Sequence, residues 1–157
     1  MRNVLTRSAI LVTVAATALV AGAAPASSSG PRITPLVTVL TGAQEVPGPG
    51  DADGRGAFAG VIKGDTLCYA LLATRIDPAT AAHIHVGAAG VAGPIVVGLN
   101  TPNRTSHGCI TAVPDAQNTT MTLSESELAA LVANPSAYYV NVHNAPHPAG
   151  AVRGQFR

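Results

Sequence analysis

Two apolar runs meet at a two-residue connection in residues 57–74, AFAGVIKGDTLCYALLAT. The connection is Gly64-Asp65, and glycine readily adopts the positive φ that two-residue hairpin turns require. We therefore predict a β-hairpin over Ala57 to Thr74. Alternate side chains of a strand share one face, so Leu67, Tyr69 and Leu71 are expected on the buried face of the second strand.

Similar short apolar runs occupy most of the chain on both sides of this hairpin, and Gly, Pro, Asp and Asn clusters separate them. Such spacing is typical of an all-β sandwich or barrel. The sequence predicts about 8–9 short strands: Leu36 to Ala43, Ala57 to Lys63, Thr66 to Thr74, Ala81 to Val86, Ile95 to Leu99, Cys109 to Val113, Thr119 to Leu123, Tyr138 to His143 and Ala151 to Phe156.

One segment favours a short helix. Ser124 is a candidate N-cap, and Glu127 lies three residues later, as in a capping box. Leu128 and Leu131 recur at helical spacing, and Pro135 ends the pattern.

The N-terminus has the pattern of an export signal. Arg2 and Arg7 precede an uncharged apolar run that ends in small residues. The run is shorter than the ~20 residues that a helix needs to cross a bilayer. We predict a signal peptide over residues 1–26, cleaved after Ala23 or Ala26, and a secreted, extracellular product. An uncleaved membrane anchor is the alternative, but we expect no membrane contact once the signal is removed. Residues 27–35 are expected to form a flexible lead-in to one domain over residues 36–157.

Charge and composition argue against nucleic acid as a partner. The predicted signal contains two of the nine basic residues and none of the eight acidic ones, so its removal changes the formal net charge from +1 to −1. The remaining Lys and Arg residues are scattered, and only three Tyr and two Phe offer rings on which bases could stack.

The two cysteines, Cys68 and Cys109, are predicted to form a disulfide, because the expected compartment is oxidising and the count is even. A buried pair of free thiols and a redox site are the alternatives. A redox site usually has its two cysteines close together in sequence, as C-x-x-C, whereas Cys68 and Cys109 are far apart.

Three histidines are the candidate metal ligands. His83 and His85 lie two residues apart in a predicted strand, so their rings share one face. His143 shares a face with Tyr139 and Asn141 on a second predicted strand, opposite two core valines. Burying the apolar faces of both strands in one core turns all three imidazoles in a common, outward direction. We therefore expect the strand with His83 and His85 to lie beside or across from the strand with His143, so that the three rings converge near one face of the domain. The loop histidines His107 and His147 are weaker candidates, and Glu45 is expected in a solvated loop.

Three motifs resemble the CHRD domain family, named after the repeated domain of chordin. They are LTGAQEVP at residues 40–47, HIHVG at residues 83–87, and YVNVH at residues 139–143 with RGQ at residues 153–155. The resemblance implies an immunoglobulin-like or barrel-like β domain, with no established activity for bacterial members. The family pattern usually has a small or acidic residue two places before Arg153, and this chain has Ala151 there, so it lacks any ion pair that the acid makes in other members.

Two functions follow as alternatives. The first is a non-enzymatic extracellular structural or binding module, whose partner is an unidentified extracellular protein or wall component; no G-x-S-x-G elbow or similar catalytic motif is present. In this first alternative, the histidines form hydrogen bonds with Tyr139, Asn141, Arg153 or loop carbonyls. The second is a small metalloprotein that binds copper or zinc through His83, His85 and His143, conceivably with oxidoreductase activity.

Overall fold

The computed structural model describes residues 33–157; the predicted signal peptide over residues 1–26 and residues 27–32 lie outside this range. Eight strands and one helix form in this order: β1 Ile33–Thr41, β2 Arg55–Lys63, β3 Thr66–Thr74, β4 Ala79–Val86, β5 Ile95–Leu99, β6 Thr105–Thr111, α1 Glu125–Ala133, β7 Tyr138–Asn144 and β8 Val152–Gln155. None of the helices in the described range is long and apolar enough to cross a membrane.

All eight strands belong to one antiparallel sheet with the order β5-β4-β7-β8-β1-β2-β3-β6. The sheet curls into a nearly closed barrel, which confirms the predicted all-β class. The edge strands β5 and β6 are linked by Asn100, whose amide Nδ2 donates to the His107 carbonyl at 2.8 Å. The backbone N–H of Asn100 donates to the Tyr69 hydroxyl at 2.7 Å, which ties the same connection to β3.

The predicted hairpin is confirmed. Strands β2 and β3 pair along their full length, from Arg55 opposite Thr74 to Lys63 opposite Thr66. Gly64 takes a φ of +61° at the turn, as its place in a two-residue connection requires.

Three strand predictions were wrong. The strand predicted over Cys109 to Val113 is β6, Thr105–Thr111, which begins four residues earlier because Thr105 and Ser106 pair with Leu72 and Leu71 of β3. Strand β1 begins at Ile33, which pairs with Lys63, so residues 33–35 belong to the sheet rather than to a flexible lead-in. The predicted strand from Thr119 to Leu123 is absent from the described fold. Its place is taken by a turn in which the Asn118 side chain accepts hydrogen bonds from the Thr119 N–H and the Thr122 hydroxyl. Such local side-chain bonds compete with strand pairing.

The barrel interior contains the alternate residues that the strand patterns predict. Leu67, Tyr69 and Leu71 of β3 are buried with Ile84 of β4, as expected. Val140 and Val142 of β7 are also fully buried, whereas Val86 is only partly buried. Helix α1 begins at the predicted capping box, in which the Ser124 hydroxyl accepts from the Glu127 N–H and the Glu127 carboxylate accepts from the Ser124 N–H. It adds Leu128 and Leu131 to the core.

The predicted disulfide is present. Cys68 of β3 and Cys109 of β6 are directly opposite each other, with their Cα atoms 4.0 Å apart, and the bond spans 41 residues of chain. Because the neighbouring Leu67 and Tyr69 point into the core, the bond lies on the outer face of the sheet.

Candidate metal centre

Three adjacent strands, β4, β7 and β8, position the candidate site. His83 is opposite Asn141, which is in turn opposite Arg153; one step along, His85 is opposite Tyr139, and Tyr139 is opposite Gln155. These side chains share the face that points away from Ile84 and Val140. The strand register therefore builds a polar patch three strands wide on the side of the sheet that does not line the barrel.

The structure brings His83, His85 and His143 together. One ring nitrogen of each lies within 4.8 Å of the other two, and His83 Nδ1 is 3.1 Å from His143 Nε2. Nitrogens bound to one zinc ion at 2.0–2.1 Å are about 3.3 Å apart in a tetrahedral arrangement. The shortest pair is close to that spacing, at the distance of a hydrogen bond between the two rings, and every other nitrogen pair of the group lies within 4.8 Å.

Backbone carbonyls orient two of the three rings. His85 Nδ1 lies 2.9 Å from the Gly93 oxygen, and His143 Nδ1 lies 3.1 Å from the Pro148 oxygen. A carbonyl can only accept, so each Nδ1 carries the proton, and in the neutral His85 ring Nε2 keeps its lone pair. The Nε2 of His143 lies 3.0 Å from the Asn141 side-chain oxygen, so its lone pair is free only when the Asn141 amide turns its NH₂ group towards it. This arrangement is the usual outer support of histidines that ligate a metal.

Burial keeps the cluster neutral. His85 is only 8% exposed, and its Nε2 is buried with no hydrogen-bond partner within 3.5 Å, although the Asn141 side chain lies close enough to favour the charged ring. Burial lowers the pKa of His85 and of His143, and it lowers the pKa of His83 to about 4, with further repulsion from the two other histidines. All three imidazoles are therefore available as neutral donors near neutral pH.

Tyr139 and Arg153 form the layer beside the histidines. The Tyr139 ring stacks on His85 with centroids 4.8 Å apart and planes inclined by 4°, while the Arg153 guanidinium carbon lies 3.4 Å from the Tyr139 ring centroid. Arg153 is 1% exposed and donates to the carbonyls of Ala88 and Val91 at 3.0 and 2.9 Å. The sequence-predicted supporting residues thus lie where they can fix the ring of His85.

The polar patch is covered, which corrects the expectation of an outward-facing site. The connection from Gly87 to Pro94 folds over it, held at Gly93 by His85 and by Tyr139, whose hydroxyl accepts from the Gly93 N–H at 3.1 Å. Gln155 donates to the Gly87 carbonyl at 2.8 Å. Close approach is possible because Gly93 lacks a Cβ, which would lie 1.7 Å from the Val86 oxygen.

Sequence reasoning missed Glu45 and Gln155. Glu45 was expected in a solvated loop but is 6% exposed, and its Oε1 has no hydrogen-bond partner. Burial raises its pKa to about 7, an effect that attraction to Arg153 partly offsets. The carboxyl group packs against Gly150, where a Cβ would lie 2.3 Å from it. Nothing in the local sequence pattern marks this contact, because it joins residues 105 positions apart.

The two weaker histidine candidates lie elsewhere. His107 is exposed on β6 rather than in a loop, and the His147 backbone N–H donates to the Asn144 side chain at 2.9 Å without bringing its ring into the cluster.

Comparison with known proteins identifies one family. The sequence matches the CHRD domain over residues 36–156, which is nearly all of the described chain. No curated protein and no solved structure matches significantly. The matched range contains the three motifs, the disulfide and the whole histidine cluster, and the chain therefore belongs to the CHRD domain family.

Proposed function

We propose that this protein is a secreted, non-enzymatic extracellular module that holds one copper or zinc ion at His83, His85 and His143. CHRD domains are extracellular, and the Cys68–Cys109 disulfide suits an oxidising compartment. The ion would connect β4 to β7 on the face that carries the Gly87 to Pro94 connection, and so stabilise a surface used for structure or for binding a partner.

One observation carries the metal proposal: the buried Nε2 of His85 has no hydrogen-bond partner and belongs to a group of three imidazole nitrogens within 4.8 Å. Leaving a polar atom buried and unpaired costs about 1–3 kcal/mol. A bound cation removes that cost. Imidazole nitrogen is a ligand that both copper and zinc accept, whereas magnesium and calcium prefer oxygen.

A second candidate function keeps the module and omits the ion. The hydrogen bonds from Arg153 to Ala88 and Val91, with the contact between His85 and Gly93, already fasten the connection over the sheet. In this alternative the histidines complete a polar network that fixes the shape of the domain. It leaves the Nε2 of His85 without a partner, which is why we favour the metal.

Metal retention separates the two candidates. The purified mature chain is stripped with a chelator, incubated with excess Cu(II) or Zn(II), dialysed, and analysed for metal per chain. We expect close to one ion per chain for the wild type and a large loss in His83→Ala and His143→Ala. His107→Ala is the matched control, because it removes an exposed imidazole from a different part of the sheet, and it should retain the ion.

Two further measurements keep this test decisive. Circular dichroism and thermal melting of each variant show whether the fold persists, and the Cu(II) electron paramagnetic resonance spectrum should show nitrogen coupling that disappears in the variants. A folded wild-type protein that retains neither ion after dialysis would exclude the metal centre and leave the polar network as the function of these residues.

Secretion has its own test. Expressed with its full N-terminus in an exporting host, the protein should be recovered outside the cells, and intact-mass measurement should place the mature N-terminus at Ala24 or Ser27. Recovery of the uncleaved chain in the membrane fraction would instead support the alternative of a membrane anchor.

A further inference from the structure

A second concave site lies at the end of the barrel where two connections meet. The β3–β4 connection, residues 75–78, and the β5–β6 connection, residues 100–104, enclose a cleft of about 470 Å³. Its walls include Ala73, Ile76 and Pro102, and the charged residues Arg75, Asp77 and Arg104 also line it. We name it the Arg75–Arg104 cleft. Its volume falls within the ~300–1,000 Å³ of small-molecule sites, and it contains none of the three clustered histidines.

Unusual backbone conformations mark both arginines. Arg75 has a φ of +56° and Arg104 a φ of +61°, and within residues 33–157 they are the two non-glycine residues with positive φ. A side chain makes this region unfavourable, whereas glycine enters it freely. The Ala73 N–H donates to the Arg104 carbonyl at 2.8 Å, which holds one connection against the other. Strained residues that line a cleft are a typical feature of binding sites.

Neither Arg75 nor Arg104 has a side-chain partner within residues 33–157. Within the described range neither side chain donates a hydrogen bond or lies within 4.0 Å of a carboxylate oxygen. A guanidinium offers paired N–H groups that match the two oxygens of a carboxylate. From the cavity, the two positive-φ arginines and their unpaired side chains, we propose that the Arg75–Arg104 cleft binds a small carboxylate-bearing molecule, with Asp77 available to accept from a ligand hydroxyl.

Titration of amide chemical shifts tests the site. The metal-free mature chain, labelled with ¹⁵N, is titrated with citrate, glucuronate and glutarate, with glucose as the neutral comparison. At least one of the three acids should shift the amides of Ala73 and Arg104 saturably, with a Kd of about 1 mM or tighter. Glucose should not. If none of the three acids shifts these amides saturably, the proposal is wrong.

Charge variants locate the binding. Arg75→Gln and Arg104→Gln should each weaken binding of the acid at least tenfold, whereas Lys63→Gln should leave it unchanged. Lys63 is a suitable control because it is exposed and lies at the opposite end of β2 from the cleft. An equal effect from all three variants would show general charge attraction and would overturn the assignment.

Arg104→Gly separates a binding role from a structural one. Because glycine adopts a φ of +61° without strain but also makes the unfolded chain more flexible, this variant should melt near the wild-type temperature and should lose binding. Retained binding would show that the Arg104 side chain does not hold the ligand, and a melting temperature well below that of the wild type would show that it serves the fold.

Discussion

Glu45 and Arg153 are the buried charged residues of the described chain apart from the histidine cluster, and they attract each other without forming a close ion pair. Arg153 satisfies its donors on carbonyls and on Gln155, so its charge is dispersed over neutral partners. Glu45 is left with an unpaired oxygen.

The raised pKa of Glu45 makes stability depend on pH. The carboxyl group titrates near 4.5 when unfolded and near 7 when folded, so its protonated form favours the fold and its contribution falls as the pH rises from about 4.5 to about 7. Glu45→Gln should therefore stabilise the protein by about 1–3 kcal/mol more at pH ~8 than at pH ~5. Urea denaturation at the two pH values measures this difference.

Asp53→Asn is the control for Glu45→Gln, because Asp53 is exposed and belongs to the same connection between β1 and β2. It should change stability little, and equally at both pH values. If Glu45→Gln shows the same change at both pH values, the carboxyl group ionises normally in the fold.

Arg153 is expected to depend on its shape as well as on its charge. Arg153→Lys keeps the positive charge but cannot reach Ala88, Val91 and Gln155 together, and it loses the flat contact with Tyr139. We expect a loss of about 2–3 kcal/mol in urea denaturation, since hydrogen bonds from a buried charged donor are among the stronger ones. Arg157→Lys, at the exposed C-terminus, should be neutral; a neutral Arg153→Lys would show that charge alone is needed.

At the level of elements, the sequence predicted what depends on local period. The β2–β3 hairpin follows from Gly64, and helix α1 follows from Ser124 and Glu127. The shared face of His83 and His85 follows from the two-residue period of a strand. The segment from Thr119 to Leu123 was mistaken for a strand because threonine favours strands, whereas the Asn118 side chain there stabilises a turn.

The rest of the site depends on contacts between distant residues. The expectation that the two histidine strands lie beside or across from each other is confirmed by the pairing of β4 with β7, but it rested on a shared core and not on a local pattern. Nothing in the sequence indicated that residues 87–94 fold over the polar patch. The burial of β7 on both faces, with Val140 inside the barrel and Asn141 under the connection, follows only from that covering. The burial of Glu45 could not be predicted for the same reason, because it depends on a contact with the distant Gly150.

The Gly87 to Pro94 connection should control the metal site through Gly93. In Gly93→Ala the new Cβ would lie 1.7 Å from the Val86 oxygen, so the connection must shift and the contact between His85 Nδ1 and the Gly93 carbonyl should be lost. Loss of such outer support typically weakens metal binding by about 10–100-fold. Competition with a chelating dye measures this. Ala89→Ser, at an exposed position in the same connection, should retain the wild-type affinity.

Tm measured without metal completes the test of Gly93. The Gly93→Ala protein should melt at a lower temperature than the wild type, because the shifted connection also loses the hydrogen bond from the Gly93 N–H to Tyr139. If the variant melts lower but binds copper and zinc normally, the carbonyl of Gly93 does not orient His85 for a ligand.

For the whole molecule, the sheet order separates the disulfide from the histidine cluster. Cys68 and Cys109 join β3 to β6, whereas the cluster occupies β4 and β7. Strands β8, β1 and β2 lie between them along the ladder, and β5 lies between them across the seam that Asn100 bridges. One bond therefore restrains the half of the barrel that contains the β2–β3 hairpin. A metal ion at the histidines would restrain the other half.

This separation predicts that the disulfide and the metal can be removed independently. The double variant Cys68→Ala/Cys109→Ala should lose on the order of 4 kcal/mol of unfolding free energy, because the unfolded chain gains entropy when a loop of 41 residues is opened. The backbone pairing of β3 with β6 should keep the fold. Urea denaturation gives the loss, and metal analysis of the same protein should still find close to one ion per chain. Because sites that share no contacts contribute additively, the stabilisation by metal should be equal in the wild type and in the double variant. Unequal stabilisation in two folded proteins would mean that the two halves of the barrel are coupled.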